Sequence, residues 1–263
     1  MNAYAQETRL RLKTKVGANQ KTIIEDMFFT PPLKIIQPIY EEVNGNEIAN
    51  IMLLSVSAGL MNGDSQILDI DIQDHSRVHL TSQSFEKIHD TQEGKATRCT
   101  NIKLHPHSFL NFNPLPVIPF ANSSFENFTR IDLCRDSRLC YGEIFCAGRV
   151  SRGEIFHFKI FHSNLKIYQE GKLIFLDNTF LDPKTQDLKN CCNFGDFTHY
   201  LNLIFIDPNL TVENVREKLH NFDLIEKINV GVSQNNQVII LKALAYESEV
   251  LLALREMLGK DLS

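Results

Sequence analysis

From Arg9 to about Gln169 hydrophobic and polar positions alternate with a period of two, the spacing of strands with one buried face. The clearest stretch sets Leu68, Ile70 and Ile72 against Asp69, Asp71 and Gln73. The same alternation runs through Val78, Leu80 and Ser82, and through Thr100, Ile102 and Leu104. It returns at Phe156, Phe158 and Ile160 and continues at Leu165 and Ile167. These short strands recur at roughly ten-residue intervals, with turn residues such as Asn62-Gly63-Asp64 and Glu93-Gly94 between them. Serial strands without helical periodicity predict an all-β sandwich, a barrel or a stacked β-helix, and no clear sequence repeat selects among these.

The last third changes period. Residues 182–187 form a polar, turn-like stretch, after which 200–206 reads as a buried strand. A helix follows, with Thr211 or Asp207 as its cap and Val212, Val215, Leu219 and Phe222 on one face. Residues 227–232 and 237–245 read as two further strands. A final helix capped by Ser248 carries Val250, Leu251, Leu254, Met257 and Leu258. The expected organisation is a single domain over 1–263, with a β-rich body at 1–180 and an α+β segment at 181–263.

Composition narrows the function. The chain has 263 residues, 43% hydrophobic and 22% charged, which suits a folded globular protein rather than a disordered one. A net charge of -5 and the lack of a dense Lys/Arg stripe exclude a nucleic-acid partner. No run approaches the length of a membrane span and no apolar signal core opens the chain, so the expected location is the cytoplasm. The six cysteines, at 99, 134, 140, 146, 191 and 192, are then expected as reduced thiols. With no Trp and 18 Phe, phenylalanine is the aromatic core-filler.

The usual signatures of catalysis and cofactor binding, a Walker loop, G-x-G-x-x-G, H-E-x-x-H, G-x-S-x-G and Cys/His zinc spacing, are missing. His105-Pro106-His107 is the most metal-like motif, because imidazoles two apart on an extended chain face the same side, although Pro106 and its polar neighbours favour a turn. A metal-dependent hydrolase using His105 and His107 is therefore one reading. A generic β scaffold of another complex is a second. Cys134, Cys140 and Cys146 recur every six residues and are expected as buried small hydrophobes rather than soft-metal ligands. Cys191 and Cys192 chelate one ion only if the chain turns there, and a structural role is preferred. Asp64 follows two glycines suited to positive φ, Gly59 and Gly63. Glu143, Arg149, Arg152 and Glu154 lie around Gly148 and Gly153 and suggest buried charge pairing.

Four ordered blocks carry a family resemblance. The run LLSVSAGLMNGD at 53–64 and the run LTSQSFEKIH at 80–89 resemble the signature region of the UreD/UreH urease accessory proteins. LNFNPLPVIPF at 110–120 resembles that family's proline-containing strand pair, and EIFCAGRVSRGE at 143–154 its G-R-x-x-x-G-E stretch. Two departures, Ala58 beside Gly59 where many members have consecutive glycines and Asn111 where many have Glu, are similar to the Helicobacter-type branch.

The resemblance implies a mainly β fold, a β-helix-like stack of short strands with two C-terminal α-helices. It also implies a non-enzymatic scaffold for nickel insertion into urease. By the same resemblance the chain would bind the accessory protein UreF, reach the GTPase UreG through it, and dock on apo-urease as a dimer of heteromers. No tightly bound cofactor is implied, only transient nickel. The family-matched Asp64, Lys87, Glu143, Arg149 and Glu154 would serve ion passage or hold the walls of an internal channel. Dispersed oxygen ligands of this kind suit an ion in transit better than a Cys/His cage. The last helix and the strand before it are a candidate partner surface, although a Leu-rich face more often packs as intramolecular core.

Overall fold

The computed structural model of the protein describes residues 7–259. In chain order its strands begin β1 (Glu7–Val16), β2 (Thr22–Phe29), β3 (Leu33–Ile35), β4 (Ile39–Val43), β5 (Asn46–Ser55) and β6 (Ser65–Ile72). They continue β7 (Arg77–Ser82), β8 (Glu86–Ile88), β9 (Ala96–Leu104), β10 (Phe109–Phe112), β11 (Val117–Pro119) and β12 (Ser124–Leu133). β13 (Arg138–Cys146), β14 (Ile160–Gln169), β15 (Lys172–Leu181) and β16 (His199–Ile206) precede helix α1 (Val212–His220). β17 (Ile228–Asn235), β18 (Val238–Ala245) and α2 (Ser248–Gly259) complete the order.

The alternation resolves into a solenoid. Each coil places one strand in a sheet built on β5, β7, β10 and β13, crosses a short bridge, and returns through a sheet built on β6, β9, β12 and β14. Successive coils stack in parallel register: Ala49 on Val78, Val78 on Leu110 and Leu110 on Leu139 in the first sheet. Leu68, Thr100, Thr129 and Leu165 stack likewise in the second. The bridges form a third, short column of Leu60, β8 and β11. A coil takes about thirty residues, a length typical of stacked repeats. Along the strands its repeat leaves no trace in residue identity, because only inward parity has to be kept from coil to coil.

One corner does repeat. Where each coil turns from the second sheet back to the first, Ser76, Ser108 and Ser137 donate their backbone N–H to the carbonyls of Gln73, His105 and Cys134 at 3.0, 3.2 and 3.2 Å. All three serines are buried. His105-Pro106-His107 is one of these corners, with His107 at φ +57°.

The C-terminal segment extends the first sheet antiparallel, β13 pairing β16, β16 pairing β18 and β18 pairing β17. Thr211 caps α1 in a capping box with Asn214, and Val212, Val215 and Leu219 are buried beneath it. The apolar face of α2, with Val250, Leu251, Leu254 and Leu258, covers the outer side of β13, β16 and β18. That face is intramolecular core, the role a Leu-rich face more often takes. Ser248 lies inside α2 as its first residue. Phe156 and Phe158 do not continue a strand: Phe156 has φ +57° and both rings fill the core from a loop, β14 starting only at Ile160. Among the described residues no helix is long and apolar enough to cross a membrane.

Candidate functional site

Inward-facing positions of the solenoid are apolar at both ends of the strands. Toward the serine corners they are Ile72, Leu104, Leu133 and Ile167; toward the short column they are Ala96, Phe125, Phe145 and Phe161. Between these two apolar zones runs a polar band. In the second sheet Thr8 pairs Gln66, Gln66 pairs Arg98, Arg98 pairs Asn127, Asn127 pairs Ser163 and Ser163 pairs Thr179. In the facing sheet Glu143 pairs Asn202 and Asn202 pairs Lys242. The six-strand ladder is about 24 Å long at the usual strand spacing. A polar seam thus runs along the solenoid axis through an apolar interior.

Glu143 sits at its centre. Its carboxylate accepts from Tyr141 Oη at 2.7 Å, Asn127 Nδ2 at 2.8 Å and Ser163 Oγ at 3.1 Å. Burial pushes the Glu143 carboxyl up from its ordinary value, with these three donors opposing the rise. Burial also holds the Tyr141 phenol well above its ordinary value, so it remains a donor. Toward the β1 end, Arg98 donates to Gln66 at 2.8 Å and forms an ion pair with Glu86. Toward the β15 end, Asp177 accepts from Thr179 Oγ1 at 3.1 Å and is paired with Lys242 Nζ at 2.5 Å.

Two cavities follow the seam. One of about 70 Å³ is lined by Gln66, Glu86, Arg98, Asn127, Tyr141 and Glu143. A second of about 30 Å³ is lined by Asn127, Glu143, Ser163, Asp177, Thr179 and Asn202. Asn127 and Glu143 belong to both. The buried amide oxygens Asn127 Oδ1 and Asn202 Oδ1 have no hydrogen-bond partner among the described residues. Open oxygen acceptors and carboxylates in a small polar cavity suit a hard or borderline divalent cation held weakly. Among the described residues no three His, Cys, Asp or Glu side chains converge as a metal cage.

The other family-matched residues lie on the walls. Asp64 Oδ2 accepts the Met61 N–H at 2.8 Å and closes the turn into β6. Lys87 has an exposed side chain, and its backbone carbonyl accepts the Leu60 N–H at 2.8 Å beneath Gly59. Arg149 and Glu154 grip each other in a two-pronged pair, Nε to Oε2 at 2.7 Å, with the guanidinium 4.3 Å from the Phe120 ring centroid. Arg149 holds the Glu154 carboxyl below its ordinary value. Arg152 is exposed, and Glu143 is not part of this corner.

The histidine motif is engaged piecemeal. His105 Nε2 lies 2.8 Å from Asp71 Oδ1, while the His107 ring stacks on His75 with centroids 4.8 Å apart. Asn111 faces outward from β10 beside Gly259 rather than into the seam. Cys140 and Cys146 are buried on β13, Cys134 is half-buried, and Cys191 and Cys192 lie exposed on a turn.

Glu143 is thus the one member of the predicted set on the seam. Asp177, Lys242, Asn127, Ser163, Arg98 and Asn202 escaped the sequence reading. Parity was the signal for Asn127, buried between Phe125 and Thr129 on β12, whereas Lys242 is exposed on a strand whose buried face is Ile239, Leu241 and Ala243.

The architecture and its interior define a β-solenoid with an axial polar seam. Residues 6–259 match the family model described as UreD urease accessory protein. The chain is 48% identical over 259 residues to the urease accessory protein UreH of Helicobacter hepaticus, covering 98% of this chain and all of that protein. It is 45% identical to UreH of Helicobacter acinonychis, over 99% of this chain and 97% of that one. To UreD of Acetivibrio thermocellus it is 37% identical, over 90% and 89%. The chain belongs to the UreD family of urease accessory proteins.

Proposed function

We propose that the chain serves urease maturation as a non-catalytic scaffold along which nickel reaches the apo-enzyme. The observation that carries this reading is the axial ladder of polar side chains centred on Glu143, which crosses an otherwise apolar interior. Desolvated polar groups are costly where burial alone is wanted, and an in-register band of them argues for passage rather than packing. Oxygen ligands of this kind bind nickel weakly enough to release it.

In this reading Glu143 lies on the route, and Asp64, Lys87, Arg149 and Glu154 hold the walls at their corners. The chain bridges apo-urease to UreF and, through UreF, to UreG, in the cytoplasm, as one half of a dimer of heteromers. Membership of the urease accessory family supports these assignments. The test is the nickel content of urease from cells that lack the gene, then carry it again, then carry Glu143→Ala, at matched urease levels. Nickel should fall on deletion, return on restoration and stay low with Glu143→Ala. Unchanged nickel on deletion would overturn the reading.

A further inference from the structure

At the β15 end the small cavity next to Glu143 shares its walls with a second space. A wider surface groove of about 340 Å³ begins there, lined by Thr179, Tyr200, Lys242 and Phe194. Thr179 and Tyr200 line both spaces, Asp177 faces only the inner one and Lys242 only the outer one. Their 2.5 Å ion pair stands at the boundary. Asp177 is 15% exposed and Lys242 44%, so the ammonium reaches from a wet groove to a more sheltered carboxylate. Two further acceptors wait on the inner side. Asn127 and Asn202 are 6% and 3% exposed, and the amide oxygen of each lacks a donor.

We propose that Lys242 is a tethered counter-ion, and that a divalent cation takes the oxygens of Asp177, Asn202 and Asn127 only by displacing its ammonium. This deepens the nickel-passage reading and rests on it for the identity of the travelling ion. Lysine suits the task, since an ammonium on a flexible stem makes single-point contacts that break more readily than a two-pronged guanidinium pair. The lysine keeps the Asp177 carboxylate compensated while no metal is present, and swings into the groove when one arrives. Passage is then an exchange of cations that leaves the Asp177 carboxylate compensated at every stage.

The test is a Mn²⁺ titration, with free Mn²⁺ read by electron paramagnetic resonance. It uses the full chain purified in the complex it forms in cells, as wild type, Lys242→Met, Lys242→Arg and Lys242→Met with Asp177→Asn. Lys242→Met should bind about fivefold more tightly than wild type, the ratio that corresponds to losing a competing, partly exposed ion pair. Lys242→Arg should bind no more tightly than wild type, and Asp177→Asn should abolish the gain. Equal affinity of wild type and Lys242→Met, a gain that survives Asp177→Asn, or no Mn²⁺ bound by either protein would each overturn the proposal. Circular dichroism checks the fold, and Lys242→Gln replaces Lys242→Met if the latter does not accumulate. Urease plays no part in this titration, so failed nickel delivery in cells and a failed gate are separate results.

Discussion

The guanidinium of Arg255 in α2 donates a 2.6 Å hydrogen bond to the carbonyl of Pro114, 141 residues earlier in the chain. Arg255 is 6% exposed, and burial lowers its pKa to about 10, which leaves it charged at neutral pH. The contact clamps the last helix over the β10–β11 connection. Directly beneath it is Gly142, where an added Cβ would lie 2.6 Å from Asn113 Oδ1 and 2.9 Å from Leu203 Cδ1. Arg255→Met should destabilise the protein by about 1–3 kcal/mol, because it strands a carbonyl acceptor under the helix. Urea unfolding checks this, and an unchanged midpoint would show that the clamp contributes nothing.

Glu143 gives a pH-dependent signature. Its folded pKa is raised by burial above the ordinary value of 4.5. A carboxyl of this kind leaves the folded state fully favoured below its unfolded value and penalises it as pH rises through the folded value. Glu143→Gln removes that penalty. The variant should match wild type near pH 4 and melt a few degrees higher at pH 7.5, about 2–4 °C for each kcal/mol in a protein approaching this size. It should also deliver less nickel to urease. A melting difference that is flat with pH would mean that burial does not raise the Glu143 carboxyl above its unfolded value.

Legibility followed parity. Strands such as β6, β7, β9 and β16 were visible because one face alternates or both are apolar, and α1 because Val212, Val215 and Leu219 keep helical spacing above a Thr cap. The coil repeat was not visible, since stacked positions such as Leu68, Thr100, Thr129 and Leu165 share only their direction. Phe156 and Phe158 read as strand because alternation records burial and not backbone, and a looped Phe at positive φ buries its ring equally well. Glu143 was found by family resemblance, yet it also stands on the inward face of β13 between Tyr141 and Phe145. Asp177 alternates with exposed neighbours on β15, but Lys242 is exposed on β18, and their partnership depends on a fold that brings positions 65 apart into contact.

The cysteines should divide into two reactivity classes. Burial pushes the Cys140 thiol up to about 12 and raises Cys146 as well. Near pH 8 only about one Cys140 thiol in ten thousand is then ionised. Cys99, Cys191 and Cys192 are exposed. Iodoacetamide on the native protein should label these three and spare Cys140 and Cys146 until denaturant is added, as mass spectrometry of peptides will record. Native labelling of Cys140 would mean that α2 lifts from β13.

Asp64 separates a wall role from a ligand role. Its carboxylate oxygen accepts the Met61 N–H at 2.8 Å and so fixes the turn that starts β6, next to Gly59, whose φ of +133° brings the chain against the Lys87 carbonyl. An Asn side chain supplies the same acceptor without the charge, and Ala supplies none. Asp64→Ala should cost about 1 kcal/mol through the lost turn bond and lower urease activation without unfolding the protein. Asp64→Asn should restore both stability and activation. The measurement is urease nickel content beside the unfolding midpoint for each variant. If Asp64→Asn is as poor in delivery as Asp64→Ala while its midpoint is normal, the charge itself matters, and Asp64 belongs on the nickel route with Glu143 rather than in its wall.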